Sequence, residues 1–315
     1  MACDFCTLYT GVIPNERQNK IEIWNRYRVL GGYIGSSSDN RITPTSFPFF
    51  KVSHGDHLES PSIPPVYNSR DKIWLNTTEL RFSFFLYPRI TFLGNIPYVR
   101  NIIRINGSVA RYSGIGDPFF LIHYFPIWRD NINISYRIGT GIGLKIPMGR
   151  FAAPYETAII THIYPSSGSF DPLGILNIYY RYQKFGIFGF FLYRWSTSNK
   201  WGYKFGNSIN AQLQVFYNYM KQNTKGFTRN WLPSVGIYYE RNEDDIYNQK
   251  VFSTQLQSCF GMVGIDYFFS KFNISIAYQC PIYQGTNSIQ LGNGGRLNIG
   301  IQYNLGSKPI FTPQK

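Results

Sequence analysis

Sustained period-two alternation is the feature that most narrows what this chain can fold into. In RLNIGIQYNL, Arg296–Leu305, the residues Leu297, Ile299, Ile301, Tyr303 and Leu305 take every second position and polar or small residues fill the gaps. Successive side chains of a strand point to opposite sides of its sheet, so such a segment has one apolar and one polar face. The pattern recurs. In NISYRIGTGIGLKIP, Ile134, Tyr136, Ile138, Ile142, Leu144 and Ile146 oppose Ser135, Arg137, Gly139, Gly141, Gly143 and Lys145. In SINAQLQVFY, Ile209, Ala211, Leu213, Val215 and Tyr217 oppose Asn210, Gln212, Gln214 and Phe216. In TELRFSFFL, Leu80, Phe82, Phe84 and Leu86 oppose Glu79, Arg81 and Ser83. Charges on the polar faces suit a wet lumen and not the interior of a sandwich.

About twelve such strands follow one another, near 20–33, 74–88, 90–105, 117–127, 132–147, 171–183, 185–197, 203–219, 231–242, 251–269, 272–284 and 294–306. Most are longer than the five or six residues of a usual soluble strand. Tyr (25) and Phe (26) abound in the 315 residues, a strand-forming composition. The longest apolar run, FGIFGFFLY at Phe185–Tyr193, is half what a membrane helix needs, so a membrane would be crossed by strands. Connections alternate in length. Pro88-Arg89, Ile127–Asn131, Lys184, Ser270–Phe272 and the longer Lys221–Asn230 are short. Between them fall 36–72, 106–116, 149–170, the brief 198–202, 242–250 and 284–293. This two-beat rhythm predicts an all-β, transmembrane, antiparallel up-and-down barrel of about 12 strands, with tight periplasmic turns and external loops. A large soluble sandwich or lipocalin-like barrel is the alternative and lacks that rhythm. Tyr and Trp near strand ends agree, as at Trp74, Tyr87, Tyr182, Trp195, Tyr217, Trp231, Tyr239, Tyr267 and Tyr303.

The predicted division is a periplasmic segment 1–19, a barrel 20–306 and a periplasmic tail 307–315, in a bacterial outer membrane with both termini periplasmic. Met1-Ala2 before Cys3 suits a chain whose leader has been removed or replaced, and does not argue for a cytosolic protein. The net charge of +14 raises nucleic acid as a partner. The basic residues do not cluster and no nucleic-acid motif accompanies them, so the expected partner is the lipid bilayer.

Parity assigns Glu22, Arg26, Arg28, Glu79, Arg81, Arg137, Lys145, Asn177, Arg181, Asn210, Gln212, Gln214, Glu240, Asn273, Gln279, Arg296, Asn298 and Gln302 to the lumen. Arginine outnumbers acid there. One reading is an anion-selective passage, or a pocket for carboxylated or phenolic solutes; the other is that Arg–Glu pairs plug and stiffen the barrel. The inward glycines Gly139, Gly141 and Gly143 favour free space on the wall, and a charge at Asn298 is expected to be tolerated where one at Ile299 is not. Alternation slips near Val263–Asp266, predicting a bulge. It also puts Cys259 on the polar face and Cys280 on the apolar face, so the two should not bridge.

Four segments, GIGDPFFLIHYFPI, YRIGTGIGLKIPMG, SGSFDPLGILNIYYRY and KFGNSINAQLQVFY, resemble outer-membrane barrel transporters of the meta-pathway phenol-degradation type, and most closely their Bacteroidota branch with a Cys-rich mature amino terminus. The matching elements are Gly114-Ile115-Gly116-Asp117, Gly143-Leu144-Lys145-Ile146-Pro147-Met148-Gly149 and Gly168-Ser169-Phe170-Asp171, with Met148 where the family has Thr. The likeness runs from about Ile21 to Leu305 and implies a 12-stranded barrel with a transport function. Read from the residues alone, the glycines need no ligand, and Asp117 and Asp171 can accept hydrogen bonds from loop amides. GTGIG lacks the glycine spacing of a dinucleotide site.

Cys3 and Cys6 form a C-x-x-C for which a local disulfide is the first reading and metal or thiol chemistry the second. His54-Gly55-Asp56-His57 with Glu59 has metal-ligand residue types, but these are also turn types, and no metal or cofactor is assigned. No serine elbow is present and no enzyme is expected. The functional expectation is a passive transporter or channel for small aromatic or anionic solutes. The alternative is a non-transporting scaffold in an outer-membrane complex, docking partner proteins through the loop 36–72, where Phe47, Phe49, Phe50, Val66 and Tyr67 gather.

Overall fold

The computed structural model describes residues 18–34, 70–131, 133–151, 162–222, 228–306, 308 and 310. Its strands are β1 Asn19–Ile34, β2 Lys72–Tyr87, β3 Ile90–Ile105, β4 Ser108–Ile115, β5 Phe119–Asp130, β6 Ile134–Lys145, β7 Asp171–Tyr182, β8 Phe185–Arg194, β9 Tyr203–Lys204, β10 Ser208–Tyr217, β11 Tyr219–Gln222, β12 Thr228–Asn242, β13 Asp245–Tyr247, β14 Lys250–Phe252, β15 Leu256–Phe269, β16 Phe272–Thr286 and β17 Gln290–Gly306. Twelve of them, all but β4, β9, β11, β13 and β14, pair antiparallel with their chain neighbours in turn, and β1 closes on β17. The protein is a closed, up-and-down transmembrane barrel of twelve strands, as the alternation predicts. No described helix is long and apolar enough to cross a membrane.

The two faces separate as parity requires. Ile142 is 75% exposed and Ile23 57% on the outside, while Arg137 and Arg296 are each 1% exposed within. Burying the outward band in hydrocarbon removes a belt of apolar surface that water would penalise at roughly 25 cal/mol per Å². An aromatic girdle marks the turn end. Trp231 and Tyr267 lie 4.1 Å apart, and Phe269 and Phe272 stack at 5.5 Å, with Tyr303 5.0 Å beyond Phe272. The ends of β1 and β17 meet at this same rim, beside the tight turns at 88–89, 183–184 and 270–271.

Several expectations need correcting. The stretch 203–219 is not one strand: β9 leaves the wall, and the Gly206 amide donates to Asp245 in the loop layer at 2.7 Å before β10 begins. Likewise 251–269 is β14 and then β15, and β14, β13 and β9 form a small sheet outside the barrel. The connection 106–116 is a hairpin whose second arm, β4, pairs with the outer half of β3. The bulge falls not at Val263–Asp266, where pairing is regular, but on the neighbouring β16 at Ile282, which is skipped between the pairs Cys259–Tyr283 and Phe260–Pro281. Buried Ser258, Phe260 and Met262 set the inward parity, so Cys259 points outward like Cys280. Both are free thiols, but not because they occupy opposite faces. Cys3, Cys6, His54, His57 and the docking loop 36–69 lie outside the described residues.

Candidate functional site

Every residue assigned by parity to the lumen faces it, all of them buried except half-buried Arg181 near the turn end. Strand pairing then decides what they meet. Glu79 on β2 sits between Arg26 of β1 and Arg81 two positions along its own strand; Arg81 donates Nε–H to it at 2.7 Å, and Arg26 forms a second ion pair. Glu22 pairs with Lys20 at 2.5 Å and accepts the Trp24 indole N–H at 2.6 Å. Across the barrel, Glu240 of β12 receives both amino groups of Arg296 at 2.8 and 2.5 Å, and Arg28 approaches it at 3.9 Å. Asn293 joins the two arginines by accepting from each, at 2.8 and 3.0 Å. The Arg296 guanidinium also stacks 3.8 Å from the centre of Phe260, and Arg137 lies 4.0 Å over Tyr179. Of the two readings of the lumen arginines, the geometry matches cross-bracing. Taking such charges out of water is repaid when they are paired, and Arg26, Arg81 and Arg296 each reach a buried carboxylate.

The carboxylate-centred braces lie on one side, on β1, β2, β12 and β17. The opposite wall, β5, β7 and β8, turns Phe119, Leu121, Leu173, Ile175, Phe188, Phe190 and Leu192 inward as one apolar cluster with Phe216 and Leu232. Sequence reasoning missed this half because it kept only polar residues; the signal was present, since Phe119, Leu121 and Phe125 share parity with Asp117 and His123. The three inward glycines of β6 do not leave a passage. A Cβ at Gly139 would strike His123 and Asn177, and one at Gly143 would strike Leu121, so their space lets neighbours close in.

Where the two walls meet, toward the turn end, a cavity of about 100 Å³ remains. Phe119, Leu121, Ile175 and Phe190 line it on one side, and Lys20, Arg81, Thr91, Asn95 and Asn273 on the other. Thr91 Oγ1, Asn95 Oδ1 and Asn273 Oδ1 are buried there without a hydrogen-bond partner in the protein. Orphaned oxygens beside apolar rings suit a guest that has both a ring and a polar hydrogen. The cavity is of the order of one six-membered ring, judged against the roughly 150 Å³ apolar cavity that holds benzene.

The glycine-rich elements converge at the loop end. Lys145, ending β6, reaches Asp171 of β7 at 2.6 Å and Asp117, ahead of β5, at 3.4 Å. Ser167 donates its amide and its hydroxyl to Asp117, both at 2.8 Å, contacts Lys145, and lies 3.1 Å from the Ser169 hydroxyl. The Thr197 amide donates to Asp171 at 3.0 Å. Gly168 turns the loop with φ +72, a left-handed value that a Cβ would strain. A Cβ at Gly149 would meet the Ile115 carbonyl. The Gly116 amide donates to the Pro97 carbonyl at 2.8 Å; Gly114 packs by Pro165, and Pro147 is half-buried just after β6. These residues fasten the described segments 149–151 and 162–170 to the rim, and Ile163 packs with Leu30, Ile73, Leu75, Ile103 and Leu291.

A second fastening was not legible in the sequence. Asp245 of β13 accepts from Tyr203 at 2.5 Å and from the Gly206 amide at 2.7 Å, and faces His162 Nε2 at 2.5 Å. Burial pushes its carboxyl up, but His162, Tyr203 and the Gly206 amide outweigh that and hold it below the ordinary aspartate value. Phe151, Tyr203 and Phe205 pack around it. His162 thus has a partner, and it is one that pins a loop.

No family model matches the chain, and no curated protein matches it. Among solved structures it is similar to an outer membrane channel from Pseudomonas putida F1, with a TM-score of 0.66 over 94% of this chain and 100% of that one. Their sequences are 13% identical, so the likeness is one of fold. LpxR from Salmonella typhimurium (TM-score 0.36, 9% identity) and a Rh. blastica porin mutant (0.19, 8%), each covering 90% of this chain and 99% of its own, overlap too loosely to inform further.

Proposed function

We propose that the protein is a non-catalytic bacterial outer-membrane channel for small solutes with an aromatic or other apolar body and an anionic or polar group, with its tight turns and both termini in the periplasm. The carrying observation is the two-sided cavity, with Phe119, Leu121 and Phe190 facing Lys20, Arg81 and Asn95. An open water-filled porin lumen would have no use for the apolar wall, and a solid core would not leave a ring-sized space. The resemblance to phenol-degradation-type transporters points the same way. The scaffold alternative rests on the loop 36–72, nearly all of it outside the described residues.

Reconstitution into liposomes tests this. 4-Hydroxybenzoate, which carries a ring, a phenolic O–H and a carboxylate, is expected to enter faster than a neutral sugar of similar mass, and Leu121→Glu with Phe190→Glu should slow it by about tenfold, the scale of burying a misplaced charge on its path. Equal rates for 4-hydroxybenzoate and sugar, or no effect of the paired change in a folded barrel, would overturn the reading.

A further inference from the structure

We infer that the outward face of β2, β3 and β4 beyond the apolar belt binds phosphate groups of lipid headgroups, specifically the phosphorylated glycolipid of an outer leaflet. Up β3 from the 88–89 turn, the outward residues run Ile90, Phe92, Ile96 and Tyr98, a stretch at the lower end of the roughly 9–11 residues that cross hydrocarbon, and then change to Arg100, Ile102 and Arg104. Arg100 lies over the Tyr98 ring at 5.5 Å, an aromatic and a cation at the depth where hydrocarbon gives way to headgroups. Register gathers more positive charge. Lys72 on β2 is directly opposite Arg104, and Arg111 on β4 is directly opposite Ile102, between the two β3 arginines. All four cations are exposed, and none of them has an acidic partner among the described residues.

Facing like charges destabilise a sheet, so Lys72 and Arg104 carry a cost in the bare protein that an anion between them removes. Neighbours on one sheet face lie about 5 Å apart across strands and about 7 Å along them, close enough for one phosphate to touch two of these side chains. The same face also holds Ile102, Val109 and Ile115, of which Val109 is 56% and Ile115 52% exposed. Alternating alkyl and cationic groups fit a phosphorylated lipid, whereas a free phosphate would have no use for the alkyl groups. The opposite ends of these strands, at the turn rim, show no such grouping among the described residues.

The test uses the full chain in detergent, incubated with diphosphorylated lipid A, with fully dephosphorylated lipid A, or with inorganic phosphate, and reads bound ligand by native mass spectrometry and phosphorus NMR. Diphosphorylated lipid A should be retained at least about tenfold more tightly than the dephosphorylated form. Replacing Lys72, Arg100, Arg104 and Arg111 by Gln should abolish the difference, while Lys184→Gln with Lys271→Gln at the turn rim should leave it intact. Equal retention of the two lipids by the unaltered protein overturns the inference without needing any variant. So does inorganic phosphate binding as tightly as the lipid, or undiminished retention by the fourfold variant with its electrophoretic heat shift preserved.

Discussion

At the scale of single residues, position on the pleat sets the consequence of a change. Ile299 is 40% exposed on the outward face, and Ile299→Arg should destabilise the barrel by about 2–4 kcal/mol, read from urea unfolding in lipid vesicles. Its neighbour shows where parity alone stops. Asn298 is 1% exposed and pairs with Arg26 across the β1–β17 seam. An open lumen would accept Asn298→Arg; this packed one, with a cation already beside it, should lose about 1–3 kcal/mol in the same assay. Alternation tells which way a side chain points and says nothing about what fills the space it points into. Cys259 marks the other limit: β15 keeps its alternation through this point, but the apolar Phe260 and Met262 occupy its inward face, so apolar character there does not mark the lipid side.

Strands and loops carry the stability as linked units. Glu240→Ala leaves Arg296, and the more distant Arg28, facing each other without their shared carboxylate. The expected loss is about 3–5 kcal/mol, and Glu240→Leu combined with Arg296→Met should recover a substantial part of it, as seen in unfolding midpoints. Asp245 governs the loop layer. Because its folded carboxyl titrates below the unfolded value, its contribution is complete above the ordinary aspartate range and is lost as pH falls beneath it. Limited proteolysis of the outer loops should therefore rise at low pH, and Asp245→Asn should make cleavage high and nearly pH-independent. The strands themselves were legible because lipid outside and a polar brace inside enforce period two. The His162–Asp245–Tyr203 meeting was not, since it joins segments 83 and 42 positions apart that no local pattern links. Lys145, Asp117 and Asp171 were legible only as a motif, and strand pairing was needed to make them one cluster.

For the whole molecule, the division of the lumen into a braced wall and a greasy wall explains how a barrel with so much arginine can be packed and still hold a ring-sized space. The braces keep β1, β2, β12 and β17 at fixed separation, while β5, β7 and β8 pack by shape. Swapping the character of one wall should alter permeation without undoing closure. The seam between β1 and β17 runs from Asn19 opposite Gly306 to Ile34 opposite Gln290, joining the first and last strands of the described barrel. A growing chain therefore carries an unmatched sheet edge from its first strand until its final one has emerged. During that interval the edge can pair with any other exposed strand, so biogenesis depends on shielding it until the ring can shut.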